Sequence, residues 1–240
     1  MTKSIFLSTI FHIIIITLSA ISFPYMLKKP IDLPPIISIE LIQISDITNI
    51  PYAPKARKIL DKIKNTKEPV VFISGHFNNF ELMAMQIEKS GINLAAIYRP
   101  LNNIFLNKIM ERIRKKYICR KQIKKGSSGT RDLLKSFKKN YSIALMIDQR
   151  VSESIKIDFF GQKASTTTIP AQLVKKFGSK IVPIYIERIN GVYFKMTINK
   201  PISFDKESTI EEITLNLNKW LEKMILINPG QWIWSHDRWK

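Results

Sequence analysis

Short apolar runs rich in β-branched residues, Val70–Ile73, Ile92–Tyr98 and Ile143–Ile147, alternate with stretches of helical spacing, and this alternation restricts the chain more than any other feature. Runs of that length without polar alternation read as buried strands. The helical stretches are Phe80–Ile87, closed by Ser90-Gly91; Asn103–Lys116, with Phe105, Ile109, Met110 and Ile113 at helical spacing; Thr130–Lys139; Pro170–Phe177, stopped by Gly178; and Thr209–Ile227, with Ile210, Ile213, Leu217, Trp220, Leu221 and Met224 as its buried stripe. Ile181–Glu187 and Val192–Asn199 flank Asn190-Gly191, a strong hairpin signal. The predicted fold class is α/β: a mixed central sheet flanked by helices.

Upstream the pattern changes. Ser4–Leu27 is a run of 24 residues without Asp, Glu, Lys or Arg, and about 20 helical residues cross a bilayer. Lys3 ahead of the run and Ala20-Ile21-Ser22 after its apolar centre also fit a cleaved secretory signal. The reading adopted is one N-terminal transmembrane helix, with residues 1–28 as membrane anchor. Residues 29–66, with Pro30, Pro34, Pro35, Pro51 and Pro54 and a strand-like Ile36–Ile44, read as a proline-marked connector. Residues 67–240 are the globular domain. Lys28 and Lys29 after the span, against Lys3 before it, lean towards a cytoplasmic body.

Hydrophobic residues at 45% and charged residues at 24% supply a core and exclude wholesale disorder. Cys119 is the only cysteine, which excludes an intramolecular disulfide and any C-x-x-C site. The net charge of +19 predicts anionic partners. Thirteen Lys/Arg against Glu111 and Asp132 lie between residues 104 and 140; no nucleic-acid-binding module accompanies this belt, so an anionic membrane surface or an acidic protein is the expected partner.

The chemistry concentrates in Gly75-His76-Phe77-Asn78-Asn79-Phe80-Glu81, where a strand gives way to a helix. On one continuous helix His76 and Glu81 would point apart, so they meet only if His76 lies before the helix, a geometry that Gly75 and an N-capping Asn78 would permit. Glu81 would then accept from one imidazole nitrogen while the other takes a proton from a hydroxyl, which is general-base chemistry. The plainer reading is a capping box with Glu81 at its third position and a structural histidine.

Together with Tyr98-Arg99-Pro100-Leu101-Asn102-Asn103, Asp148-Gln149-Arg150, Phe159-Phe160-Gly161, Thr166-Thr167-Thr168 and the tail Asn228–Lys240, this motif resembles the bacterial lipid A late acyltransferases, the lauroyl/myristoyl transferases. The resemblance runs from about Glu68 to Lys240; the residues before Lys67 do not follow the family's usual pattern. It implies a glycerolipid-acyltransferase-like fold and transfer of a fatty acyl chain from acyl carrier protein to a hydroxyl of a Kdo-bearing lipid A precursor, in lipopolysaccharide biosynthesis at the bacterial inner membrane, with the catalytic domain facing the cytoplasm. His76 and Glu81 would be catalytic, and Arg99, Asp148, Phe160 and Gly161 would bind substrate. No metal or organic cofactor is implied. Acylation of another glycolipid or of glycerophosphate stays open, as does an inactive, basic envelope-binding protein. Trp232, Trp234 and Trp239 fit either a membrane interface or the cap of a core.

Overall fold

The computed structural model describes residues 2–26, 54–151 and 154–240. Contacts divide the chain into two units, Met1–Thr48 and Asn49–Lys240.

In the first unit, helix α1 covers Thr2–Met26. Its described side chains, residues 6–18, are exposed. Among the described residues no helix is long and apolar enough to cross a membrane. The expected transmembrane span is therefore not supported. The strand-like Ile36–Ile44 and the prolines from Pro30 to Pro51 lie outside the described residues.

The second unit begins with α2 (Pro54–Thr66). These residues fall in the stretch expected to be a connector, yet Ala56, Leu60 and Ile63, at helical spacing, are buried in the core. There follow β1 (Val71–Ser74), α3 (Glu81–Lys89), β2 (Leu94–Tyr98), α4 (Ile104–Tyr117), β3 (Lys121–Lys124), α5 (Ser127–Lys138), β4 (Ser142–Met146), β5 (Ser154–Phe159), β6 (Gln162–Thr167), α6 (Ile169–Phe177), β7 (Ile181–Asn190), β8 (Tyr193–Ile198) and α7 (Ile210–Ile227).

Six strands form one sheet in the order β3-β2-β4-β1-β7-β8. The first five run parallel, and β8 returns antiparallel on β7. The mixed α/β sheet flanked by helices is thus observed. Successive side chains on a strand point to opposite faces, and each face has its own core. Val71 and Ile73 of β1 join the core built with α5, α6 and α7, through Leu133, Leu173 and Leu217 among others. Val70 and Phe72 join the core built with α2 and α3, through Leu60 and Met83.

One local signal acts as the sequence predicts, and another comes from the structure. Gly178 closes α6 in the left-handed conformation, at φ 63°. Thr209 and Glu212 form a capping box at the start of α7. Two elements differ. The α4 helix forms, capped by the Asn103 side chain accepting from the Phe105 and Leu106 amides, but it has no buried residue. Its apolar stripe is therefore not a core stripe. Phe160-Gly161 is the two-residue turn of a β5–β6 hairpin, with φ of 53° and 75°, the signature of a type I′ turn.

Candidate active site

In a parallel sheet the loops that follow the strand carboxyl ends share one edge, where α/β proteins commonly place their sites. His76 follows β1, Arg99 follows β2, Lys125 follows β3 and Asp148 follows β4. The β1–β4 register pairs Ser74 with Met146, so continuing it by two residues sets His76 opposite Asp148.

The two residues meet there. His76 Nδ1 lies 2.6 Å from Asp148 Oδ1, and the His76 backbone amide donates to Asp148 Oδ2 at 2.6 Å. Trp232 Nε1 donates to the same Oδ2 at 2.8 Å. Asp148 is 2% exposed. Burial alone would raise its carboxyl, but the His76 side chain, the His76 amide and the Trp232 indole, all hydrogen-bonded to it, hold it below its ordinary value. An ionised Asp148 accepts the proton on Nδ1, so Nε2 is the unprotonated nitrogen of the ring. The ring is fixed on its other side by Phe80, edge-on at 4.5 Å between centroids.

Glu81 is not the imidazole's partner. It accepts instead from Arg114 of α4, with Nε at 2.9 Å from Oε1. Asn78 is not the helix cap either. It sits at φ 40°, where asparagine is tolerated, and Phe80 occupies the cap position without a side-chain bond. The Asn78 amide donates to the Gln231 carbonyl at 3.0 Å, and the Ile233 amide donates to the His76 carbonyl at 3.1 Å. The closing segment is thus bridged to the histidine loop, and Trp232 and Phe77 form an isolated antiparallel pair.

Gly75 makes this loop possible through space. A β-carbon there would lie 2.9 Å from Leu221 Cδ1, 2.9 Å from Phe77 Cε2 and 3.2 Å from Asp148 Oδ2. All three atoms belong to the packed site, so Gly75→Ala is expected to displace the His76–Asp148 pair. Turnover should fall by at least about tenfold, with a loss of about 1–3 kcal/mol in stability, as read by initial rates alongside denaturant melts. A variant with wild-type turnover would contradict the close packing.

A cavity of about 220 Å³ opens beside the dyad. Met83, Ala84, Ala96, Ala144 and Ile169 give it apolar walls, while His76, Glu81, Arg99, Arg114, Lys125 and Gln149 border it with polar groups. Burial and the neighbouring Arg99 cation lower the Lys125 ammonium from its ordinary value. Two cations this close, with Arg114 on the same cavity, make a site for an anionic group.

Among the residues expected to bind substrate, Arg99 borders the cavity and Asp148 lies under the histidine. Phe160 and Gly161 do not border it, since they form the hairpin turn. The Phe160 amide donates there to Glu222 at 2.6 Å. Of the threonines, Thr167 borders the cavity, and Thr166 Oγ1 accepts from Arg238 at 2.8 Å. Arg238 is fully buried over the Phe159 ring, 4.0 Å from its centroid, and burial pushes its guanidinium down to about 10. Trp232 is buried and bonded to Asp148, Trp239 packs on the main core, and Trp234 is 55% exposed. Cys119 is buried, and its thiol is pushed up to about 12 by burial and then by Glu88, which makes it a structural thiol.

Trp232, Arg114 and Lys125 are site residues that sequence reasoning missed. The first was weighed only as interface or core, and the other two were absorbed into the basic belt. An ordered clue for Trp232 existed in the closing segment, but nothing in one sequence marks it as a donor to a carboxylate 84 positions away.

An imidazole with one nitrogen tied to a buried carboxylate, beside an apolar cavity bordered by cations, has the groups needed to take a proton from a hydroxyl and to hold a molecule that is partly apolar and partly anionic. The chain matches the bacterial lipid A biosynthesis acyltransferases over residues 40–240, and it belongs to that family. It is 25% identical over 188 residues to the lipid A biosynthesis lauroyltransferase of Escherichia coli (strain K12), covering 74% of this chain and 58% of that protein. It is 22% identical over 184 residues to lipid A biosynthesis acyltransferase 2 of Shigella flexneri, covering 75% and 58%. It is 21% identical over 181 residues to the lipid A biosynthesis myristoyltransferase of Escherichia coli (strain K12), covering 74% and 55%. The chain thus spans a little over half the length of these relatives.

Proposed function

We propose that this protein transfers a fatty acyl chain from an acyl carrier protein thioester to a hydroxyl of a Kdo-bearing lipid A precursor, at the cytoplasmic face of the bacterial inner membrane. The observation that carries the reading is the His76–Asp148 dyad at the mouth of an apolar cavity, in a chain of the lipid A acyltransferase family.

His76 Nε2 takes the proton of the acceptor hydroxyl as that oxygen attacks the thioester carbonyl. Asp148 stabilises the imidazolium that forms, as a triad carboxylate does. When the tetrahedral intermediate collapses, the C–S bond breaks and the departing sulfur takes the proton from His76, which regenerates the base. The products are the new ester and the free thiol, so no side-chain nucleophile is needed. Arg99, Arg114 and Lys125 hold the anionic part of a substrate, and Glu81 fixes Arg114 in place. The apolar walls receive hydrocarbon.

The test is direct. Purified protein is incubated with lauroyl- or myristoyl-acyl carrier protein and the tetraacylated Kdo-lipid A precursor, and products are followed by mass. A gain of one acyl chain is expected on the precursor. A gain only on a different glycolipid or on glycerophosphate would keep the transferase and replace the acceptor. Folded protein without transfer to any of them would sink the proposal.

A further inference from the structure

Helix α4 is built inside out. At 3.6 residues per turn, Asn107, Glu111 and Arg114 share one face, and that polar face is the one turned to the body. Tyr98 donates to Glu111 at 2.5 Å, Asn107 Nδ2 donates to Glu111 at 2.7 Å, and Arg114 binds Glu81. The Tyr98 bond first, then those of Lys124 and Asn107, hold the Glu111 carboxyl down to about 2. The apolar residues are the ones left outside. Phe105 is 79% exposed, Leu106 54%, Ile109 53%, Ile113 46% and Tyr117 41%. No residue of the helix is buried.

A globular helix normally turns its apolar stripe to the core, and an apolar face this continuous needs a partner. The same spacing puts Lys108, Arg112 and Lys115 on an arc beside that stripe rather than on the body side and sets Lys116 within the stripe's edge, and all four are exposed. An apolar arc flanked by a basic one along a single helix is the pattern that lies in a membrane interface, with rings and aliphatic chains among the lipid tails and cations among anionic headgroups.

We propose that α4 docks the domain onto an anionic lipid bilayer, seating its Phe105–Ile109–Ile113 stripe in the interface. The inference rests on the proposed function in expecting a lipid substrate, and it names the surface through which the site meets the membrane. Arg114 borders the cavity from the opposite face of the same helix, so the docked face and the cavity are about one helix diameter apart. A lipid acceptor then reaches the dyad without leaving the interface.

Because α1 is itself apolar, total binding to vesicles would not decide the matter, and the measurement must be local. In the full chain carrying Cys119→Ala, an environment-sensitive fluorophore is attached at Ile109→Cys, with Lys219→Cys at an exposed position of α7 as the control. Vesicles of phosphatidylethanolamine with phosphatidylglycerol should shift the position-109 probe to the blue and expose it to a quencher carried on the acyl chains. High salt should weaken the effect, and the control probe should not respond. A position-109 probe that stays in water while the protein sediments with the vesicles would overturn the proposal, as would a concentration-dependent shift without lipid, which would indicate a second copy on this face.

Activity provides a separate arm. Phe105→Ser, Ile109→Ser and Ile113→Ser together should lower turnover of vesicle-presented acceptor by about tenfold or more, with turnover of detergent-dispersed acceptor unchanged. Equal activity of variant and wild type on vesicles would contradict docking. Wild type inactive in detergent as well would refute the proposed function, while the fluorescence arm still decides docking.

Discussion

His76→Ala is expected to lower the proposed acyl transfer by about 10²–10⁴-fold, the usual contribution of a positioned general base, and to leave the fold intact. The reason for expecting both together lies in what the side chain touches. Its ring contacts Phe80 and Asp148 near the surface, and Asp148 keeps two donors after the ring is gone, the amide of residue 76 and the Trp232 indole. No buried charge is left without a partner, so the large penalty for an uncompensated carboxylate does not arise. Single-turnover rates with the acyl thioester, beside circular dichroism melts, check it. Turnover within threefold of wild type would remove His76 from the chemistry, and collapse of the fold would make it structural.

Asp148→Asn is the second large effect and separates the carboxylate's charge from its shape. Two N–H groups, from the His76 backbone and Trp232, converge on Oδ2, and neither can accept a hydrogen bond. The amide oxygen of asparagine must therefore sit there, which turns its NH₂ towards His76 Nδ1. The ring then accepts at Nδ1 and carries its proton on Nε2, the wrong tautomer for a base. The corresponding change in a Ser-His-Asp triad costs about 10⁴-fold, and a loss of that order is expected here with little change in overall structure. Imidazole ¹⁵N shifts would report the tautomer directly. An active variant, or one whose ring remains unprotonated at Nε2, would contradict the assignment.

The same carboxylate has a stability signature with a definite sign. Its folded value lies below the ordinary carboxylate range, so its stabilising contribution is complete above about pH 4 and is lost as the pH falls through the lower folded value. The difference in melting temperature between wild type and Asp148→Asn should accordingly shrink in acid.

How much of this was legible in the sequence depends on the distance over which each fact is decided. The strands at Val71–Ser74 and Ser142–Met146, the Asn190-Gly191 hairpin and the Gly178 stop are local, and they appear where the spacing puts them. The family, too, could be read from ordered motifs. The partner of His76 could not, because the choice between Glu81, five residues on, and Asp148, 72 residues on, is made by strand order, and nothing in the sequence states that β1 lies beside β4. The resemblance pointed to the near carboxylate, and the sheet supplied the far one. Helix α4 forms where the spacing puts it, but the side it turns to the body was illegible for a related reason. Periodicity reveals that a helix has an apolar face, but which face meets the body is settled here by Glu111 and Arg114 finding Tyr98 and Glu81. Phe160-Gly161 was read through a motif, and its own backbone demand for two positive φ angles was the better guide.

The three donors on Asp148 and the bridge from the closing segment to the histidine loop also bear on when the protein becomes competent during synthesis. The β1 strand emerges from the ribosome long before β4, and Trp232 later still. A nascent chain that has made only its first strands therefore holds a histidine with neither orientation nor counter-charge, and cannot use it as the proposed base. Because long-range contacts of this kind form late, the oriented imidazole arrives in a final step rather than accumulating gradually, and a truncated or stalled product lacks it.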